Sequence, residues 1–157
     1  MKEIRTPNGR LYGNQRLENI VEKLIKQGIV NFCCGGAIGF DLLSGFTVLK
    51  LKVKYPSTKL IMILPCRNQE AKWSIDDQIS YHQILDAADE IIYVSEQYYD
   101  GCMRERNIYL VESSDYCVAF YKYARSGTAQ TVRLAAKRGI TIFNLANNDR
   151  PSCEPKQ

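Results

Sequence analysis

The chain of 157 residues carries a formal net charge of +4, with 45% hydrophobic and 24% charged residues and a mean hydropathy of −0.28. That is apolar material for one globular domain, too much for a disordered chain, and no apolar run approaches the roughly 18 residues of a membrane span. The opening Met1-Lys2-Glu3-Ile4-Arg5-Thr6 lacks the apolar stretch of a secretory signal, so a soluble, cytoplasmic protein is expected.

From Arg16 to Gln27 the apolar residues Leu17, Ile20, Val21, Leu24 and Ile25 recur at helical spacing, and Gly28 is placed to stop the helix. The short apolar run Ile29 to Cys34 predicts a strand, broken by Gly35-Gly36-Ala37-Ile38-Gly39, after which Leu42, Leu43, Phe46, Leu49 and Val53 predict a second helix. Pro56 ends that helix, and Lys59 to Leu64 is too short for a lone helix but suits a strand buried on both faces. A third helix is predicted over Ile75 to Ala88, with Asp76 and Asp77 favourable in its first turn, followed by a strand from Glu90 to Val94.

Ser95 to Gly101 reads as a loop, Cys102 to Glu112 as a helix, and Tyr116 to Tyr121 as another buried strand. After a loop with Ser126-Gly127, a helix over Thr128 to Arg138 is stopped by Gly139, and Ile140 to Leu145 gives the last strand. Strands alternating with helices imply right-handed βαβ units. The expected fold is therefore α/β: a Rossmann-like three-layer sandwich with a mostly parallel sheet of about five strands. One domain over 1–145 and a mobile polar tail over 146–157 are expected.

Six cysteines (33, 34, 66, 102, 117 and 153) form no C-x-x-C pair, and the only histidine is His82. This argues against a structural zinc site and removes any His-based catalytic triad or His-rich metal site, and Cys33, Cys34 and Cys117 read as small packing residues. His82 reads as a packed or surface residue, and Asp86, Asp89 and Glu90 as solvated charges at a helix end.

Ligands of such sheets bind beyond the carboxyl ends of the strands, and four segments fall there. Gly35, Gly36, Ala37, Gly39 and Asp41 lie at a strand-to-helix turn, where backbone N–H groups can face a phosphate, although the same glycines also suit a tight turn. Gln69 and Trp73 follow the next strand, the indole serving either to stack on a base or to cap the core. Tyr98, Tyr99, Gly101, Cys102, Arg106 and Asn107 combine rings with a guanidinium, as nucleotide binding or a solvated helix face would require. Ser126, Gly127 and Thr128 open a helix as an anion cradle or a plain cap. Their convergence on one sheet edge favours a ligand site. The scattered basic residues suit a small phosphorylated ligand better than long nucleic acid.

The blocks CGGAIGFDLL, Gln69 to Trp73, YYDGCMRERN, Ser114-Asp115 before a strand, and SGTAQT, in this order, resemble the YpsA-type branch of the SLOG superfamily over Gly28 to Leu145. The superfamily unites Rossmann-like proteins similar to the LOG phosphoribohydrolases, the DNA-processing protein DprA and nucleotide-sensing domains. The resemblance implies that Gly35, Gly36, Gly39, Arg106, Asn107, Gly127 and Thr128 line a pocket for a nucleotide or nucleotide-derived ligand, of ADP-ribose type or a cyclic nucleotide signal. Two departures stand out. Thr6 to Gly13 replaces the strand that usually ends in a T-G-H-R block, which implies an open sheet edge covered by Met1 to Arg5 or by a second subunit, and hence a homodimer or higher homo-oligomer. The LOG hydrolases place a catalytic glutamate where this chain has Thr131, whereas Arg106 keeps their M-x-x-R pattern from Met103.

The expected function is therefore a sensor or sequestering module that binds without turnover, with no catalytic residue, metal or cofactor assigned. A nucleotide N-glycosidase using Asp41, Glu70, Asp100 or Glu105 as base, and a single-stranded DNA binder stacking bases on Trp73 and Tyr98 or Tyr99, are the alternatives.

Overall fold

A computed structural model of the chain describes residues 4–5, 11–12, 15–121 and 127–146. The chain divides into two compact units, Met1–Tyr98 and Tyr99–Gln157. The expected tail beyond 146 and Ser126 lie outside the described residues.

The first unit opens with a two-residue antiparallel pair, β1 (Ile4–Arg5) and β2 (Leu11–Tyr12), with Ile4 opposite Tyr12. These short strands were not legible in the sequence. Helix α1 (Gln15–Lys26) buries Leu17, Val21 and Leu24, with Glu18 in its first turn and Lys23 and Lys26 in its last. Gly28, at φ 99°, ends it while the Ile29 N–H donates to the Leu24 carbonyl at 3.1 Å.

Strand β3 (Asn31–Cys34) leads to α2 (Phe40–Lys54), β4 (Lys59–Leu64), α3 (Ile75–Ala87) and β5 (Glu90–Tyr93). The three strands are parallel in the order β3-β4-β5, with Cys34 opposite Met62 and Leu64 opposite Tyr93. The core runs along β4, where Leu60, Met62, Ile63 and Leu64 are fully buried. α3 starts at Ser74, whose hydroxyl accepts from the Asp77 N–H at 3.2 Å. Gly45 of α2 lies against Ile84 of α3: an added Cβ would meet Ile84 Cδ1 at 3.2 Å. Ion pairs Lys50–Glu18 (2.9 Å) and Lys54–Glu22 (3.4 Å) link α2 to α1 at the surface.

The second unit contains α4 (Cys102–Glu112), β6 (Tyr116–Ala119), α5 (Gly127–Arg138) and β7 (Thr141–Asn144), with β6 and β7 parallel. Past the ladder, the Asn144 side chain accepts from the Tyr121 N–H and donates to the Tyr121 carbonyl, both at 3.0 Å. Five parallel strands in sheets of three and two, separated by helices, make the fold α/β and Rossmann-like. Among the described residues no helix is long and apolar enough to cross a membrane. The strands β5 and β6 are less buried than their apolar sequences suggest: Ile91 and Tyr116 are exposed and Cys117 and Val118 half-buried.

Asp89 is not the idle helix-end charge its position suggests. Its carboxylate accepts from the Leu60 N–H at 2.8 Å and from the Lys52 ammonium, while its own N–H donates to the Leu60 carbonyl at 2.9 Å. Backbone and side chain of Asp89 together thus extend the β4–β5 ladder by one residue. The Lys52 ammonium and then the Leu60 N–H hold the carboxyl below its ordinary pKa. A depressed folded pKa stabilises the native state above the unfolded value, near pH 4, and the contribution disappears as pH falls through the folded value. Asp89→Ala is expected to cost about 1 kcal/mol at pH 7 and to flatten the loss of stability below pH 4, read from urea midpoints across pH. Parallel curves for the two proteins would contradict this role.

Candidate functional site

In the first unit the site is built at the carboxyl ends of β3 and β4. After Cys34 the chain turns through Gly35 to Gly39, with Gly36 at φ 73° and Gly39 at φ 94°. The two glycines serve different needs. A Cβ on Gly36 would lie 2.6 Å from Leu64 Cδ2 and 3.3 Å from both Gln69 Nε2 and Tyr81 Cε2, whereas one on Gly39 would meet nothing within 4 Å. Gly36 is required by close packing as well as conformation; Gly39 by conformation alone.

Gly39 caps α2 without a side-chain hydrogen bond, and Asp41 occupies the first turn. Its Oδ2 accepts from the Ala37 N–H at 3.2 Å. The carboxylate therefore sits at the positive end of the helix, where a phosphate would otherwise be stabilised.

The turn after β4 supplies the opposite wall. Gln69 Nε2 donates to the Tyr81 hydroxyl at 3.1 Å, and Tyr81, 1% exposed, meets Trp73 edge-on with ring centroids 5.1 Å apart. Trp73 is half-buried, so it joins the wall without closing over the core. Burial pushes the Tyr81 phenol pKa up; the Gln69 hydrogen bond opposes this and the neighbouring Glu70 charge reinforces it. Glu70 is 9% exposed; its Oε1 lies 3.5 Å from His82 Nε2, and its Oε2 is buried with no hydrogen-bond partner among the described residues. Nearby, Arg67 stacks 4.2 Å over the Tyr93 ring and its Nε donates to Glu96 Oε2 at 2.6 Å. Tyr98, at the end of this unit, is exposed.

The second unit carries its own polar group. Gly101, at φ 105°, caps α4, and the Cys102 N–H donates to the Tyr99 carbonyl at 3.1 Å. Cys102 is fully buried and Tyr99 partly exposed, so the thiol packs while the ring faces outward. Arg106, 6% exposed, is the one buried basic side chain among the described residues. Its Nε donates to Asn107 Oδ1 at 2.8 Å, and Asn107 Nδ2 donates to Gln130 Oε1 at 2.9 Å. This chain of bonds ties α4 to the first turns of α5, which begins at Gly127 and carries Thr128 half-buried.

Within the first unit, then, Gly36, Ala37, Asp41, Gln69 and Trp73 converge with Tyr81, and within the second Arg106 and Asn107 converge with Gln130. Tyr81 and Gln130 are participants that strand-end position alone does not select, whereas Glu70 follows β4 directly and is among the candidate bases named from the sequence. Tyr81 shares an apolar helical spacing with Ile84, which reads as core, and Gln130 sits inside a motif block without a distinguishing neighbour.

Residues 12–141 match the YspA SLOG family. The chain is 33% identical over 135 residues to the SPbeta prophage-derived protein YoqJ of Bacillus subtilis, covering 78% of this chain and 79% of that protein. It is 30% identical over 132 residues to a UPF0398 protein of Halalkalibacterium halodurans, covering 83% of this chain and 70% of the relative. A UPF0398 protein of Brevibacillus brevis is 32% identical over 130 residues, covering 76% and 69%.

Proposed function

From the premise that the chain belongs to the YspA SLOG family, we propose that it binds a nucleotide or nucleotide-derived ligand and holds it without turnover, as a sensor or sequestering module. The observation that carries this reading is the glycine turn at the carboxyl end of β3, where Leu64, Gln69 and Tyr81 leave no room for a side chain on Gly36: it lies where open α/β sheets take their ligands. The buried Arg106, hydrogen-bonded through Nε to Asn107, places a guanidinium in the second unit, the side chain best suited to recognise an anion. Thr131, standing where the related hydrolases place a glutamate, supports retention over cleavage.

The experiment is a melting-temperature panel of mononucleotides, cyclic nucleotides, NAD, ADP-ribose derivatives and a short single-stranded oligonucleotide. A ligand at 100 times its Kd adds about 2.7 kcal/mol, or roughly 5–10 °C for a chain of this size. One nucleotide class is expected to give such a shift, and Arg106→Ala is expected to weaken its binding about tenfold or more. A flat panel contradicts the reading, and unchanged affinity in Arg106→Ala removes that residue from it.

A further inference from the structure

Arg106 and Asn107 are neighbours on α4, both more than nine-tenths buried, at 6% and 5% exposed. Successive helical residues diverge by about 100° and do not face each other, yet Arg106 Nε reaches Asn107 Oδ1 at 2.8 Å. The bond therefore requires the Asn107 amide to be held in one orientation. Its holder is Gln130, 23 residues later in the first turns of α5, whose Oε1 accepts from Asn107 Nδ2 at 2.9 Å. The polarity of this relay is dictated from the arginine outward. A guanidinium only donates, so Asn107 must turn its oxygen to Arg106 and its NH2 to α5, and Gln130 must answer with its own oxygen. Neither amide carries a charge, so the relay fixes the guanidinium without cancelling any of its charge, as a carboxylate in either place would.

We propose that Gln130 is a positioning residue for anion recognition: through Asn107 it sets the plane of the Arg106 guanidinium, and with it the direction from which a phosphate of the ligand is met. The assignment rests on the nucleotide-binding reading above and adds to it the residue that aims the buried cation. With only 6% of Arg106 exposed, the plane of the group decides which of its donors an anion reaches, because guanidinium pairs with phosphate through a rigid, directional fork. An apolar side chain at position 130 would leave Asn107 Nδ2 without its acceptor and the amide free to turn its NH2 against the guanidinium. Gln130 is itself half-buried, so its replacement disturbs the relay more than the packing.

The test uses the full chain in a ligand-free arm and a binding arm. In proton–nitrogen NMR spectra the Arg106 Nε–H signal, assigned by its loss in Arg106→Ala, is expected to exchange slowly with water in wild type and in Gln130→Glu, which keeps the acceptor, and about tenfold faster in Gln130→Leu. The binding arm titrates wild type, Gln130→Leu, Arg106→Ala and the double variant with the four ribonucleoside 5′-monophosphates and ADP-ribose. The nucleotide that binds wild type is expected to lose about three- to tenfold in affinity in Gln130→Leu, as one hydrogen bond is worth, and to lose nothing further when Gln130→Leu is added to Arg106→Ala, because both act through one group. A purely structural Gln130 would lower the melting temperature of Gln130→Leu and leave its Nε–H exchange and its affinity unmoved. That result would overturn the assignment while leaving the nucleotide reading intact; so would losses that add in the double variant. Absence of binding by every probe would overturn both.

Discussion

Gly36→Ala is expected to lower the unfolding free energy by about 2–4 kcal/mol, through an overpacked contact and a left-handed backbone acting together. The added methyl would stand 2.6 Å from Leu64 Cδ2, and Leu64 is a fully buried residue of the central strand β4, so the neighbour has no free space into which to move. Gln69 Nε2 and Tyr81 Cε2, each 3.3 Å from the methyl position, close the other sides. The backbone at φ 73° adds strain that a non-glycine residue rarely accepts. Gly39→Ala is the companion variant: nothing lies within 4 Å of its Cβ position, so its cost is conformational alone, about 1–3 kcal/mol at φ 94° and ψ −120°. Urea unfolding of both variants checks this. Equal losses would mean that packing at Gly36 contributes nothing beyond conformation.

Tyr81→Ala is expected to cost about 3–5 kcal/mol, the range for removing a buried aromatic ring and leaving its cavity. The ring is the floor of the candidate site: it borders the Cβ position of Gly36, meets Trp73 edge-on and accepts from Gln69. Tyr81→Phe keeps the ring and removes the acceptor, so it should cost only about 1 kcal/mol, from the Gln69 amide left without its partner. The two variants also separate by pH. Burial raises the phenol pKa in the folded protein, so the stability that depends on a neutral Tyr81 is intact below the unfolded value near pH 10 and is lost as pH rises through the folded value. Wild type should therefore lose stability above pH 10 more steeply than Tyr81→Phe. Identical slopes would indicate that the phenol titrates freely in the native state.

Most elements were legible because their signals are local. The run Lys59 to Leu64 is a strand over that same span, since it is bracketed by Pro56 and Pro65 and has no helical spacing. The predicted helices over Arg16–Gln27, Ile75–Ala88 and Cys102–Glu112 lie within one residue of those observed, because apolar spacing and a capping glycine or serine mark both their faces and their ends. Strand β3 is shorter than the apolar run from Ile29, as the residues just before it complete the C-terminal cap of α1. What the sequence does not carry is long-range side-chain pairing. Asp89 looks like a surface charge until Leu60, 29 residues away, donates to it. Tyr81 reads as helix core, and only the folded chain brings its hydroxyl to Gln69, 12 residues earlier. Glycine-rich strand ends mark where open α/β sheets take ligands, while the charge at such an end depends on which side chains occupy the helix start, as Asp41 does here.

The most direct test of the account is the fate of a bound nucleotide. The protein is incubated for hours with the nucleotide that raises its melting temperature most, then denatured, and the released small molecules are weighed by mass spectrometry. Recovery of the intact nucleotide in near-stoichiometric amount is the expected result. Free base with ribose phosphate would identify a hydrolase, and no retained nucleotide would contradict the binding function itself.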